Sequence, residues 1–307
     1  MVRRKTLPRT FITSIASVGI VMMMVNSTAS FAQNTVDTTK RILLASANLS
    51  KSPVYIVKQA NVIFPEILKG NEAMASDYIA TFCNKKRDYL VSMYTKGQKM
   101  LPKANAILQK YDLPEELSTL MILESDYNAN AVSKAGAVGY WQIMDEVAKE
   151  YGLKYVRHIS AAEKKKLTRT NGKKAAFLFK TMAKQKDDRK NFNKSTLAAA
   201  RYLRDRRQDL DNNWLLVVAS YNCGVGNVWN AMRKTGKKNP DFWDVKKFLP
   251  AETQHYVMKF IAMNVIFHNY DNFVTNNLNF TPVKIIIPDN FEQYMTEELA
   301  PPDDVLH

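Results

Sequence analysis

Leu113-Pro114-Glu115-Glu116-Leu117-Ser118-Thr119-Leu120-Met121-Ile122-Leu123-Glu124-Ser125 is the stretch from which the rest of the chain is read. Asp112 before it, a proline in the first turn and two acids at the positive end of a helix dipole predict a helix that starts here and runs toward Glu124. Along that helix Leu117, Leu120, Met121 and Glu124 fall at i, i+3, i+4 and i+7. The carboxylate therefore projects from the apolar face, where other helices pack. Burial disfavours the charged form, so such a carboxyl stays protonated to a higher pH than usual, as a general acid requires. Helix position alone fits a core glutamate neutralised by Lys or Arg at least as well.

The next residues favour a site. Asp126-Tyr127-Asn128-Ala129-Asn130-Ala131-Val132-Ser133 is polar and small, and does not continue the helix. Gly136-Ala137-Val138-Gly139-Tyr140-Trp141-Gln142-Ile143-Met144 then brings two glycines for close backbone approach, an aromatic pair and an uncharged amide. Hydrogen-bonding and stacking groups of this kind suit a neutral, ring-shaped ligand such as a sugar.

Outward from this centre the pattern is helical. Apolar residues recur at helical intervals between about Val57 and Tyr111 and predict two or three helices, an N-terminal helical extension over 53–111 that packs on the helices after residue 111. Ser195 and Thr196 open a helical run from Leu197 to Leu210. Asn213 is placed to cap Trp214-Leu215-Leu216-Val217-Val218-Ala219, apolar all round and so a buried central helix, with Gly224 as its stop. Pro250 begins another helix, with Tyr256, Val257, Phe260, Ile261, Asn264 and Val265 in one stripe. Only Pro282 to Ile287 alternates like a strand, and the expected fold is all-α with a short irregular C-terminal tail over 271–307.

Composition narrows the function. The 307 residues are 46% hydrophobic with 10 glycines, enough for a packed core and unlike a low-complexity chain. Two cysteines, Cys83 and Cys223, make neither a disulfide framework nor a zinc motif, and four histidines lack i, i+4 spacing. No metal and no cofactor is expected. Arg3, Arg4, Lys5 and Arg9 precede an apolar run from Phe11 to Val25, with Ser30 and Ala32 placed as a cleavage site, so 1–32 reads as a secretory signal peptide and 33–52 as a flexible lead-in. The expected location is exported, periplasmic or otherwise at the cell envelope, with no lipid anchor because no cysteine lies near the cut.

Setting aside residues 1–32, which hold four cations and no acids, lowers the net charge from +15 to +11. Between Lys154 and Lys194 fourteen Lys and Arg face three acids, so this one insert carries the whole surplus. It attracts polyanions such as acidic wall polymers or anionic lipid, or else is simply a solvated segment. Export argues against nucleic acid.

At this point the chain resembles the lytic murein transglycosylases with their lysozyme-like SLT domain. The resemblance rests on three ordered blocks. They are Glu124-Ser125 with Ser133 and Gly136-Ala137-x-Gly139-x-x-Gln142-Ile143-Met144; Ala219-Ser220-Tyr221-Asn222-Cys223-Gly224-x-Gly226; and Leu249-Pro250-Ala251-Glu252-Thr253-x-x-Tyr256-Val257. Asp241-Phe242-Trp243 ahead of the third is similar to the D-type membrane-bound branch. The resemblance implies a catalytic SLT domain over 112–270, with 154–194 inserted, acting on peptidoglycan glycan strands.

It also implies residue roles. Glu124 is the single acid and base; Tyr221 hydrogen-bonds it; Ser133 orients the sugar; Gln142 and Met144 line the adjoining subsite; Asn222 also binds substrate; Glu252 stands on the opposite wall. Cleavage of the MurNAc–GlcNAc β-1,4 bond would then yield a 1,6-anhydro end. D-type members carry a lipid anchor and C-terminal sugar-binding modules whose counterparts are not seen here, which leaves the basic insert as a candidate tether. A lysozyme-type muramidase, a catalytically silent wall-binding protein and an exported anionic-lipid-binding protein built around the basic segment remain as alternatives.

Overall fold

The computed structural model describes residues 55–286, so the leader, the lead-in and the end of the tail lie outside the described residues. Within this span the chain is all-α apart from one antiparallel ribbon, β1 (Tyr55–Lys58) paired with β2 (Val283–Ile286), Tyr55 opposite Ile286. The ribbon and the helical body belong to two compact units, the body being Ala60–Thr281.

The body opens with α1 (Glu72–Lys85) and α2 (Arg87–Leu108). A 3-10 turn, Glu115–Thr119, then leads into α3 (Leu120–Ser125). After the loop come α4 (Asp145–Glu150), α5 (Ala161–Lys184), α6 (Phe192–Asp209), α7 (Trp214–Cys223), α8 (Val225–Thr235), α9 (Phe242–Val245), α10 (Ala251–His268) and α11 (Tyr270–Val274). One apolar cluster runs from Phe64 through Ile79, Leu90 and Leu108 to Phe273, so the helices before residue 112 share their core with those after it.

Two helices organise that core. In α7 every residue from Leu215 to Ser220 is buried, and the Asn213 side chain accepts from Leu216 N at 3.2 Å, satisfying a first-turn donor. Gly224 ends it at φ +80°, a conformation that favours glycine. In α10 the stripe Tyr256, Val257, Phe260, Ile261, Asn264 and Val265 is buried, and Pro250 stands immediately before the first turn. α10 packs on α1, α7 and α3, and the buried Asn264 amide donates to Thr119 Oγ1 at 2.9 Å. This last bond fixes the approach to α3, and therefore to Glu124.

Two helix starts differ from the sequence expectation. Asp112 does not cap the Glu124 helix: it adopts φ +53° and closes the 3-10 turn Gln109–Tyr111 before it. The chain then enters through the 3-10 turn, which shares the i, i+3 repeat of an α-helix and so is invisible to side-chain periodicity. α6 begins at Phe192, before Ser195, because the Asn191 side chain takes the Lys194 N–H at 3.0 Å. Ser195 and Thr196 are instead fully buried.

Candidate active site

Glu124 sits in the last turn of α3, partly accessible, with the chain turning away directly behind it through Asp126 at φ +50° and Tyr127 at φ +63°. Its Oε1 accepts the hydroxyl of Tyr256 at 2.6 Å. Burial pushes the carboxyl up from 4.5 to about 7; the Tyr256 bond pulls it down and the charge of Glu252 pushes it up. Desolvation wins, so near neutral pH the group is divided between acid and carboxylate, able both to donate and to accept a proton.

Glu252 and Tyr256 lie four residues apart in the first turns of α10, on one helix face, so a single element brings the charge and the hydroxyl to bear on Glu124. Tyr256 is itself held far above the ordinary phenol range by burial and by the Glu124 charge. It therefore keeps its proton, and remains a donor, through the pH range in which Glu124 titrates. Asp126, the nearest other acid in sequence, is diverted: its carboxylate accepts from Tyr89 Oη at 2.6 Å.

Tyr221, expected to bond the Glu124 carboxyl, does something else. Its hydroxyl donates to the Trp141 carbonyl at 2.7 Å. Tyr221 still lies near Glu124: burial first, and then the Glu124 charge, hold its phenol well above the usual value. The Trp141 ring is fully buried and its Nε1 donates to Thr196 Oγ1 at 3.0 Å. Tyr221 and Thr196 together pin the backbone just ahead of Gln142.

The loop carrying Ser133, Gln142 and Met144 is closed by its own hydrogen bonds. Ser133 Oγ accepts from Ala137 N at 3.0 Å, and Val138 bridges both Val132 and Ile143. Gln142, at φ +46°, donates its amide to the carbonyls of Ala131 at 3.2 Å and Gly139 at 2.9 Å. Ser125 Oγ donates to the Tyr140 carbonyl at 2.8 Å, tying the loop to the residue after Glu124. Met144 is half-buried ahead of α4, and Asn222 accepts from Thr253 Oγ1 at 2.7 Å, linking α7 to α10.

The site depends on a residue that charge counting hides. Arg189, one of the fourteen cations of the basic segment, is 1% exposed and forms ion pairs with Asp145 at 2.6 Å and Asp187 at 2.7 Å. It also donates to the Ile143 carbonyl at 3.2 Å and the Val156 carbonyl at 2.8 Å, clamping the loop just past Gln142. A Cβ on Gly139 (φ +84°) would run into the Arg189 carbonyl oxygen, and one on Gly136 into the His158 side chain. Part of the basic segment is thus the buried back of the cleft loop. A cavity of about 320 Å³ lies on that side, between Val132, Val138 and α5, and Glu124 is not among its lining residues.

Among the described residues no group of His, Cys, Asp and Glu is arranged to hold a metal ion. No described helix is long and apolar enough to cross a membrane.

Residues 102–169 and 166–243 match the family model of the transglycosylase SLT domain, the two matched segments meeting inside α5. The chain is similar to membrane-bound lytic murein transglycosylase D of Escherichia coli K12, 30% identical over 187 residues, covering 60% of this chain and 35% of that protein. It thus spans about a third of that relative's length. Among solved structures, the 70 kDa soluble lytic transglycosylase of Escherichia coli is 16% identical with a TM-score of 0.40, covering 70% of this chain and 38% of the other. An inactive mutant of the lytic transglycosylase Slt of Pseudomonas aeruginosa is 20% identical with a TM-score of 0.36, covering 57% and 24%.

Proposed function

We propose that this chain, which carries a transglycosylase SLT domain, is a lytic transglycosylase that cleaves the MurNAc–GlcNAc β-1,4 bond of peptidoglycan with Glu124 alone as acid and then base. The observation that carries the proposal is the Glu124 carboxyl, raised to about 7 by burial and held by Tyr256. An inverting glycosidase divides the acid and base roles between two carboxyls, and a retaining one uses its second carboxyl as the nucleophile. Here Asp126 is engaged with Tyr89 and Glu252 is exposed on another helix. One carboxyl suffices if it is used twice.

In the first half, Glu124 gives its proton to the departing glycosidic oxygen as the C1–O bond breaks. In the second, the resulting carboxylate takes the proton of the C6 hydroxyl on the same MurNAc while O6 bonds to C1. Glu124 is restored, no water is consumed and the product ends in a 1,6-anhydro ring. The Tyr256 hydroxyl supports the intermediate carboxylate between the two steps, since a hydrogen bond to the charged form favours it. The charge of Glu252 acts in the opposite sense, favouring the protonated form of Glu124.

Ser133, Gln142, Met144, Tyr221 and Asn222 are assigned to shaping the sugar-binding wall. Ser133, Gln142 and Tyr221 do so in part through the backbone they fix. The matched domain and the basic-then-apolar leader support action at the cell envelope on murein strands. The test is the activity of Glu124→Gln on purified sacculi. The near-isosteric amide keeps a Tyr256 acceptor but has no acidic proton, and clearance should fall by at least about a hundredfold. Full activity in the variant would reject Glu124 as the catalytic group, and no clearance by either protein would reject the proposal in favour of a non-catalytic wall-binding protein.

A further inference from the structure

α5 is the least packed helix of the body, with Ala175 its one buried residue. It is two arms: Asn171 breaks it at φ −146°, ψ 56°. Lys164 Nζ lies 5.1 Å from the Phe179 ring centroid, although fifteen residues of straight helix would separate them by roughly 22 Å. The arms therefore fold back on one another as a helical hairpin. In the second arm Ala175 is buried and Phe179 and Met182 line the cavity behind the cleft loop, which identifies the inward face.

The other face is cationic around one exposed aromatic ring. Around Phe177, at i−4, i−3, i+3 and i+7, stand Lys173, Lys174, Lys180 and Lys184, all exposed. From Lys164 to Lys186 the chain contains no acid. None of these four lysines takes part in an ion pair among the described residues. Phe177 is 74% exposed at the centre of this cationic face, with Leu178 exposed beside it.

Charge alone admits any polyanion, wall carboxylates and teichoic-type polymers included. The phenyl ring separates the possibilities. A hydrated polymer offers it at most one stacking face and leaves the rest in water, whereas below a layer of anionic headgroups the whole ring leaves water while the lysine stems lie along the interface and their ammoniums reach phosphate. We propose that the outer face of the second α5 arm docks on an anionic phospholipid surface, with Phe177 inserted beneath the headgroups and Lys173, Lys174, Lys180 and Lys184 on the phosphates. The docking is independent of the chemistry at Glu124, and would hold the cleft loop, which Arg189 ties to the same segment, at the bilayer face.

The test is co-sedimentation of the full chain with phosphatidylglycerol/phosphatidylethanolamine vesicles, with pure phosphatidylcholine vesicles and with sacculi. Because residues 11–25 are apolar, the comparison between variants carries the result. Binding to the anionic vesicles is expected to weaken roughly ten- to a hundredfold in Phe177→Ser, the range that burying one large apolar side chain supports. Lys173→Gln/Lys174→Gln should weaken it and reduce its salt sensitivity. Both variants should melt close to the wild-type temperature, since these side chains are exposed. Unchanged vesicle binding in Phe177→Ser, or wild-type binding to sacculi but not to anionic vesicles, would overturn the proposal in favour of a wall polymer or no partner.

Discussion

Replacing Glu124 by Gln should stabilise the protein while it abolishes catalysis, and the gain should depend on pH in a defined direction. The carboxyl titrates near 4.5 when the chain is unfolded and near 7 in the fold, with burial the main cause. Below 4.5 it is protonated in both states and costs nothing. Between the two values the native state holds a proton that the unfolded state has released, so stability falls as pH rises, and above about 7 the full penalty applies. That interval, at about 1.36 kcal/mol per pH unit, corresponds to about 3 kcal/mol.

Glutamine carries no charge at any pH and escapes the penalty, while its amide oxygen can still accept from Tyr256. For a domain of this size about 1 kcal/mol moves the melting temperature by roughly 2–4 °C, so the variant should melt roughly 6–12 °C above wild type at pH 8.5. The difference should shrink to near zero at pH 4. Thermal or urea melts of both proteins across pH 4–9 read this directly. A difference that stays flat with pH, or widens toward acid, would refute the idea that a desolvated acid sits at this position.

The same geometry sets three further outcomes. Tyr256→Phe removes the one contact that favours the Glu124 carboxylate, so the alkaline limb of the kcat/KM profile should move up by roughly one pH unit, as expected for a hydrogen bond to a charged group. Glu252→Gln removes the charge that favours the protonated form and should move the same limb down; pH–rate profiles on soluble glycan strands distinguish the two signs. Gly139→Ala forces a Cβ into the Arg189 carbonyl at positive φ and should destabilise by at least about 2 kcal/mol with loss of activity, whereas Gly152→Ala, strained but with open space around it, should cost less and leave activity intact, as melting and turnover of both would show.

The sequence made the buried central helix at Trp214–Cys223 legible because an all-apolar run admits no solvent face, and it placed Glu124 on a packed face because its spacing from Leu117, Leu120 and Met121 is helical. It did not separate Tyr221 from Tyr256. Both phenols occur in the motif blocks, and which hydroxyl reaches the carboxyl depends on the crossing of α7 and α10, not on local pattern. A partial signal existed, since Glu252 and Tyr256 share one helix face. Arg189 was hidden for a different reason: counting charges is blind to burial, and its partner Asp145 lies 44 residues earlier in the chain. The turn at Glu115–Thr119 cannot be told from α-helix in the sequence because both helix types put residues three apart on one side.

The account rests on a single carboxyl that completes its cycle without consuming water, and digestion in ¹⁸O-labelled water tests that most directly. Glycan strands cleaved by the wild-type protein, with their new MurNAc ends examined by mass spectrometry, should carry no label and show the mass of an anhydro terminus. New ends that carry one ¹⁸O atom as reducing sugars would mean that water attacks C1, and would contradict the mechanism.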